Sequence, residues 1–127
     1  MINSNPYQQY LNNAVNSAAP AQLTLMLYNG SIKFARQGMD AIEAGKIEDA
    51  HKAILRIQDI VNYLFATLDP AYEVSGNLSA LYKYIDELLI EANLKKDPNM
   101  LQEAVALLEE LRDTWGGAIL KTAGGDA

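Results

Sequence analysis

The sequence predicts an all-α fold, an antiparallel up-down bundle of four helices preceded by a short, mobile N-terminal segment. Apolar side chains recur at alternating steps of three and four residues along four successive segments, which is the spacing of one face of a helix. No segment shows the strict alternation of apolar and polar residues that is typical of a strand. The breaks between the segments are short, so neighbouring helices should run antiparallel.

The chain opens with an arm at 1–19, which has no charged side chain and is rich in Asn, Gln, Ser and Ala. We expect this arm to be held loosely. Pro20, a residue type favoured at the first position of a helix, begins the first predicted helix. That helix ends at Gly45. Its apolar stripe consists of Leu25, Tyr28, Ile32, Ala35, Met39 and Ile42.

The second and third helices follow from the same spacing, and an unbroken stripe of this kind packs helices nearly antiparallel. The second helix ends at Asp69 and Pro70, and either Ser75 or Asn77 could cap the third. The second stripe consists of Ile47, Ala50, Ile54, Ile57, Val61, Leu64 and Leu68. The third stripe consists of Leu78, Leu81, Ile85, Leu88 and Ala92.

The fourth helix has a strong start signal, because Asp97 supplies a capping carboxylate and Pro98 follows it at the first helical position. Its stripe consists of Leu101, Ala104, Leu108, Leu111, Trp115 and Ala118. Glycine costs about 1 kcal/mol relative to alanine inside a helix. The adjacent Gly116 and Gly117 therefore predict that this helix frays, or that it ends at Trp115.

Length and composition indicate one domain that binds another protein. The 127 residues divide into the arm at 1–19, a bundle at 20–121 and a disordered tail at 122–127. Ten basic and sixteen acidic side chains give a net charge of −6, which disfavours nucleic acid and anionic bilayers as partners. There is no cysteine, no Lys or Arg precedes Lys33, and no long apolar stretch follows the start of the chain. We therefore expect a cytoplasmic protein with no secretory signal and no membrane insertion.

No arrangement of residues predicts catalysis or a cofactor. Glu48 and His51 have the Glu-x-x-His spacing of di-metal bundles, but His51 is the only histidine and both residues fall outside the second stripe. A solvated helix face is the simpler interpretation. Spacing alone leaves a Ser-His-Asp arrangement open, although a lone histidine on an exposed face argues against it. We expect no enzyme activity, no metal and no cofactor.

Large apolar side chains outnumber the positions that four narrow stripes bury. Leu23, Met26 and Leu27 lie beside the first stripe and make the segment 23–28 apolar nearly all round, except for Thr24. Others outside the stripes are Leu55, Ile60, Phe65, Tyr84, Ile90, Leu94, Leu107 and Leu120. Some of them widen the buried face, since globular helices commonly bury about three of every seven positions. Together they predict apolar grooves, because monomers seldom expose large apolar patches unless something binds there.

Several of these segments together resemble the FliS family of flagellin-specific export chaperones. The resemblance runs from Asn5 to Trp115 and rests on the order and spacing of its motifs. They are NPY (5–7), PAQLTLMLYNG (20–30), NLSALYKYI (77–85), AN (92–93) and LRDTW (111–115). The chain departs from the family pattern at Asn29 and Lys83, where aspartate is expected, and at the Gly-Gly pair that follows the tryptophan.

The resemblance implies a cytosolic chaperone that holds the C-terminal segment of flagellin, which is disordered before assembly. Such proteins prevent premature polymerisation and deliver flagellin to the type III export apparatus, at the cytoplasmic domain of an export-gate membrane protein. In the family, the N-terminal arm covers apolar surface until flagellin binds. That role would fall here to Tyr7, Tyr10 and Leu11. For the groove, the helix faces favour Met26, Leu27, Ile60, Tyr63, Leu64, Leu78, Tyr82 and Ile85.

Two other functions stay open from the sequence. In the first, a second copy of the chain covers the surplus apolar face, and the protein is a self-associating structural bundle. In the second, the bundle is a carboxylate-bridged metal enzyme, which a single histidine makes a poor fit.

Overall fold

The computed structural model describes residues 20–71 and 75–125, with side chains placed from Ala21 to Gly117 apart from the break at 72–74. Four helices account for nearly all of this part of the chain. They are α1 (Pro20–Glu43), α2 (Ile47–Ala66), α3 (Ser75–Lys95) and α4 (Pro98–Gly125). The arm at 1–19, with Tyr7, Tyr10 and Leu11, lies outside the described residues.

The helices form a ring in which each one packs against two neighbours. α1 and α3 both pack against α2 and against α4, so α1 lies diagonally opposite α3. This is the antiparallel bundle that the sequence predicts, which is confirmed. No helix within residues 20–71 and 75–125 combines the length and the apolarity needed to cross a bilayer.

Two short connections are closed by the same backbone motif. At the end of α1, Lys46 N–H donates to the carbonyl of Ala41 and Gly45 N–H to that of Ile42, over 2.8 and 3.1 Å. This pattern needs one residue with positive φ after the helix, and Gly45 supplies it with a φ of 74°. Lys96 does the same after α3 with a φ of 48°, although it carries a side chain.

The starts of α3 and α4 differ in how they are held. Asp97 caps α4 as predicted, since its Oδ1 accepts from the N–H of Asn99 at 2.9 Å. Ser75 is the first residue of α3, but its hydroxyl donates to the backbone carbonyl of Asp69 at 2.5 Å. Ser75 therefore joins α3 to the end of the α2 segment and does not cap its own helix.

α4 is longer than the sequence predicts. It runs through Gly116 and Gly117 and stays helical to Gly125, which corrects the expected end at Trp115. Helix propagation adds one hydrogen bond per residue, so two glycines weaken an established helix without necessarily ending it.

The core is wider than the four stripes. Leu27 and Ile60, which were assigned to the surplus, are fully buried together with stripe residues such as Ile85. The largest fully buried side chains are Tyr28, Leu27, Ile32, Ile54, Ile57, Ile60, Ile85, Leu89, Leu101, Leu108, Val61 and Val105. Of the other residues assigned to the surplus, Leu55, Phe65, Tyr84, Ile90 and Leu94 are exposed, Leu94 to 75%, whereas Leu23, Met26 and Leu107 are half-buried.

Candidate partner-binding site

A recess opens at the end of the bundle where α1 and α3 begin. Because the helices are antiparallel, the last turn of α2 and the later part of α4 reach the same end. We call it the end recess, and its volume is about 510 Å³. It is lined by Ala21, Thr24, Tyr28, Leu64, Thr67, Leu68, Asp69, Ser75, Leu78, Tyr82 and Trp115.

The floor of the end recess contains a pair of tyrosines from diagonally opposite helices. The hydroxyl oxygens of Tyr28 on α1 and Tyr82 on α3 are 2.6 Å apart and share a hydrogen bond. Each residue is only 2% exposed, so both lie at the bottom of the recess and not at its rim. Buried Tyr hydroxyls usually find a hydrogen-bond partner, and here each finds the other.

The tyrosine pair is neutral at ordinary pH. Burial raises the pKa of Tyr28, and the hydrogen bond to Tyr82 raises it further. Burial also raises the pKa of Tyr82, although its bond to Tyr28 acts in the opposite direction. The floor therefore offers hydroxyl groups and no charge, which suits an uncharged apolar segment that carries a few polar atoms.

Hydrogen bonds hold the rim of the end recess, one of them between two helices and the others within a single segment. The indole N–H of Trp115 on α4 donates to the backbone carbonyl of Ala21 on α1 at 2.8 Å. On another wall, the hydroxyl of Thr67 donates to the carbonyl of Tyr63 at 3.0 Å. Asp69, the acidic residue of the lining, accepts from the N–H of Ala71 at 2.9 Å. These bonds leave the apolar side chains as the main contact surface.

Two smaller recesses follow the α2–α3 seam away from the end recess. The nearer one, about 200 Å³, is lined by Val61, Asn62, Phe65, Tyr82, Lys83 and Asp86. The farther one, about 370 Å³, is lined by His51, Gln58, Ile90, Asn93, Leu94 and Lys96. The amide of Gln58 donates to Asp86 at 3.2 Å between them. The ammonium group of Lys83 lies 5.6 Å from the centre of the Phe65 ring, so it covers part of that exposed ring.

His51 joins α2 to α3 as part of a polar cluster. Its Nδ1 lies 2.9 Å from the amide nitrogen of Asn93, which donates when Nδ1 is unprotonated. Lys96 donates to the Asn93 side-chain oxygen at 2.8 Å and so favours that amide orientation. Among the described residues, no three His, Cys, Asp or Glu side chains are close enough together to hold a metal ion.

The structure places the sequence-predicted groove residues in three different settings. Leu64, Leu78 and Tyr82 line the end recess together. Tyr63 is exposed on α2, and Met26 is half-buried on α1 without being part of the lining. These five stay predictions as contact residues.

The other three groove residues are corrected by the structure. Leu27, Ile60 and Ile85 have no exposed surface and belong to the core. The physical reason is that the buried face of each helix extends beyond its narrow stripe, so an apolar residue beside the stripe is covered by the next helix. A partner cannot contact these side chains unless the bundle repacks.

Several lining residues were missed as site residues by sequence reasoning. Tyr28 and Trp115 were assigned to the apolar stripes of the first and fourth helices. Thr67 and Ser75 are polar residues at helix ends, with no periodic pattern to mark them. The available signal was topological, because antiparallel helices bring the start of α1 and the LRDTW motif of α4 to one end.

Comparison with known proteins gives a consistent result. The family model of the flagellar protein FliS matches residues 3–122. The flagellar secretion chaperone FliS of Bacillus subtilis (strain 168) is 40% identical over 119 residues, which cover 94% of this chain and 90% of that protein. Flagellar secretion chaperone FliSB of Pseudomonas aeruginosa is 34% identical, covering 87% and 90%. Flagellar secretion chaperone FliS of Salmonella typhimurium is 32% identical, covering 85% and 82%.

Proposed function

The chain belongs to the FliS family of flagellar proteins, and we propose that it is an export chaperone that binds the disordered C-terminal segment of flagellin. It acts in the bacterial cytosol, where it prevents premature polymerisation and delivers flagellin to the type III export apparatus. It is a binding protein and not an enzyme. The names of the relatives support the export role.

The end recess is the observation that carries the flagellin-binding part of the proposal. Its lining is mainly apolar, and its polar rim groups are already paired within the protein. An apolar stretch of an unfolded client therefore gains contact there without competing for hydrogen bonds of the rim. The two recesses along the α2–α3 seam offer the remainder of the client a path beside exposed Phe65 and Ile90.

The energetics of a disordered client suit a carrier that must release it. Ordering such a segment costs about 2 to 5 kcal/mol or more of the gross interaction energy. A large apolar contact area therefore gives a specific complex of moderate affinity. The second partner that we propose is the cytoplasmic domain of the export-gate membrane protein. Release there then needs only partial displacement of the flagellin segment from the bundle.

Capture of flagellin from a bacterial lysate tests this function. The chain should retain full-length flagellin and lose it when the last helix of flagellin is removed, while an unrelated four-helix bundle on the same resin retains neither. Equal retention of both flagellins would contradict the proposal.

Self-association is the second candidate, and the exposed Leu94, Ile90 and Leu55 favour it. Ile90 and Leu94 line the farther seam recess, and none of the three residues lines the end recess. Light scattering at micromolar concentration separates the candidates. A dimer whose formation excludes a flagellin C-terminal peptide would favour self-association, and a monomer that takes up one peptide would favour the chaperone.

A further inference from the structure

The Tyr28–Tyr82 pair has one hydroxyl hydrogen more than its own hydrogen bond uses. Each tyrosine brings one O–H group, and only one of the two hydrogens lies between the oxygens. No other atom among residues 20–71 and 75–117 accepts a hydrogen bond from either hydroxyl. Polar hydrogens that are buried this deeply are normally paired. The second hydrogen has no such partner among these residues, and it is therefore available to a ligand.

The pair lies where a bound segment would reach it. Tyr28 and Tyr82 extend from diagonally opposite helices, so their hydroxyls meet near the axis of the bundle. All four helices contribute to the lining of the end recess, which therefore lies around the same axis. Thr24 and Leu78 are one turn nearer the mouth than the two tyrosines and also line the recess. The hydroxyl pair thus forms the polar centre of an otherwise apolar floor.

We propose that this pair donates its second hydrogen to an uncharged carbonyl oxygen of the bound flagellin segment, from the backbone or from an Asn or Gln side chain. The inference rests on the proposed function and identifies the chemical group that the recess would select in its client. A carbonyl that enters the recess loses its water and regains a hydrogen bond at the floor. A wholly aliphatic side chain in its place leaves the hydroxyl hydrogen unpaired, and a carboxylate carries a charge into an apolar recess with Asp69 on its wall.

The hydrogen count distinguishes this role from a purely structural one. Replacing either tyrosine by Phe removes the bond between them and leaves one hydroxyl with one hydrogen, which is then free for the client. Replacing both removes the last donor. A donor role therefore predicts that client affinity survives a single substitution and falls in the double variant. A structural role predicts that the affinity falls at the first substitution, when the bond between α1 and α3 is lost.

Calorimetric titration of the full chain with a synthetic peptide of the flagellin C-terminal segment tests the inference. We expect at least one of Tyr28→Phe and Tyr82→Phe to bind within about twofold of the wild type, and the double variant to bind about tenfold more weakly. Tyr84→Phe is the matched control, since Tyr84 is exposed and bonded to Glu103, and it should bind like the wild type.

Two results would overturn the inference. One is a double variant that binds like the wild type, and the other is two single variants that each lose as much affinity as the double. If the wild-type chain itself fails to bind the peptide, the proposed function fails instead. If the double variant does not fold, Raman spectroscopy of the wild-type protein replaces it as the test. The intensity ratio of the tyrosine doublet changes when a phenol hydroxyl gains a hydrogen-bond acceptor. An unchanged ratio on peptide binding would contradict the inference.

Discussion

The indole nitrogen of Trp115 lies 2.8 Å from the backbone oxygen of Ala21 and donates a hydrogen bond to it. The two residues are 94 positions apart, and they join the later part of α4 to the first turn of α1. Both line the end recess. This bond therefore helps to keep one wall of the proposed flagellin site in place.

Trp115→Phe should weaken the bundle modestly. The ring keeps most of its apolar contact but loses the donor to Ala21, and one hydrogen bond contributes about 0.5 to 1.5 kcal/mol net. Urea unfolding followed by circular dichroism should show that decrease in the free energy of unfolding, with Tyr84→Phe as the exposed control. A midpoint equal to that of the wild type would show that the bond contributes nothing.

Trp115 should report directly on occupancy of the end recess. It is the only tryptophan of the chain and it is partly exposed at the rim. Burial of its ring under a flagellin peptide should shift the fluorescence emission to shorter wavelength, in step with the calorimetric titration. Binding without any change in the emission would place the peptide elsewhere on the bundle.

High pH should destabilise the protein through the tyrosine pair. The pKa of both Tyr28 and Tyr82 is raised in the folded state, whereas in the unfolded chain they ionise near the ordinary value of 10. Above that pH the unfolded state binds fewer protons than the folded state, so stability falls by up to about 1.4 kcal/mol per pH unit for each tyrosine. Below pH 10 the contribution is fully present.

The double variant Tyr28→Phe/Tyr82→Phe tests this pH dependence. Its free energy of unfolding, measured by urea titration at several alkaline pH values, should fall less steeply than that of the wild type. Tyr84→Phe should keep more of the wild-type slope, because Tyr84 is exposed and its raised pKa comes mainly from its bond to Glu103. Identical slopes for wild type and double variant would contradict the attribution of this pH dependence to Tyr28 and Tyr82.

Gly38 and Gly117 should respond in opposite directions to added side chains. A Cβ at Gly38 would lie 3.1 Å from the Leu101 side chain of α4 and 3.6 Å from Ala53 of α2, so Gly38→Leu should overpack the core and cost about 1 to 3 kcal/mol. A Cβ at Gly117 would meet nothing within 4 Å, so Gly117→Ala should stabilise α4 by up to about 1 kcal/mol. Thermal unfolding compares the two. A tolerated leucine at Gly38 would mean that α1 and α4 separate more easily than their contact indicates.

Deletion of residues 1–16 should tighten flagellin binding. The arm, which precedes α1 in the sequence, carries Tyr7, Tyr10 and Leu11, and Ala21 and Thr24 of α1 line the end recess. We predict that the arm competes with the client for apolar surface, so its removal should lower the dissociation constant in calorimetry. The double substitution Tyr7→Ser/Tyr10→Ser in the full chain keeps the length of the arm, and it should also lower the dissociation constant. An unchanged constant in both variants would argue against competition.

Helix number, order and antiparallel packing could be predicted because each depends on local periodicity. The spacing of apolar residues and the start signals at Pro20 and Asp97-Pro98 place all four helix starts at or near their positions in the structure. The length of α4 could not be predicted, because it depends on whether the backbone hydrogen bonds on both sides of the two glycines outweigh the free-energy cost of those glycines. Likewise, the width of the core depends on how closely helices approach, as at Gly38 and Leu101.

The site was predictable only in part, because a recess is formed by residues from different helices. Leu64, Leu78 and Tyr82 line the end recess together and stay predictions as contact residues, whereas Leu27 and Ile60 lie in the core. Nothing in the sequence pattern pairs Tyr28 with Tyr82, which are 54 positions apart and on helices that do not pack side by side. That contact depends on the depth at which each side chain enters the bundle.

The central claim is that the end recess is where the flagellin C-terminal segment binds, and Leu78→Asp tests it most directly. Leu78 lies in the first turn of α3, where a carboxylate suits the positive end of the helix, so the fold should survive. Ala106→Asp, on the exposed face of α4 and outside all three recesses, is the control. In calorimetry with the flagellin peptide, Leu78→Asp should weaken binding at least about tenfold and Ala106→Asp should leave it unchanged. Equal affinity of a folded Leu78→Asp variant and the wild type would contradict the account.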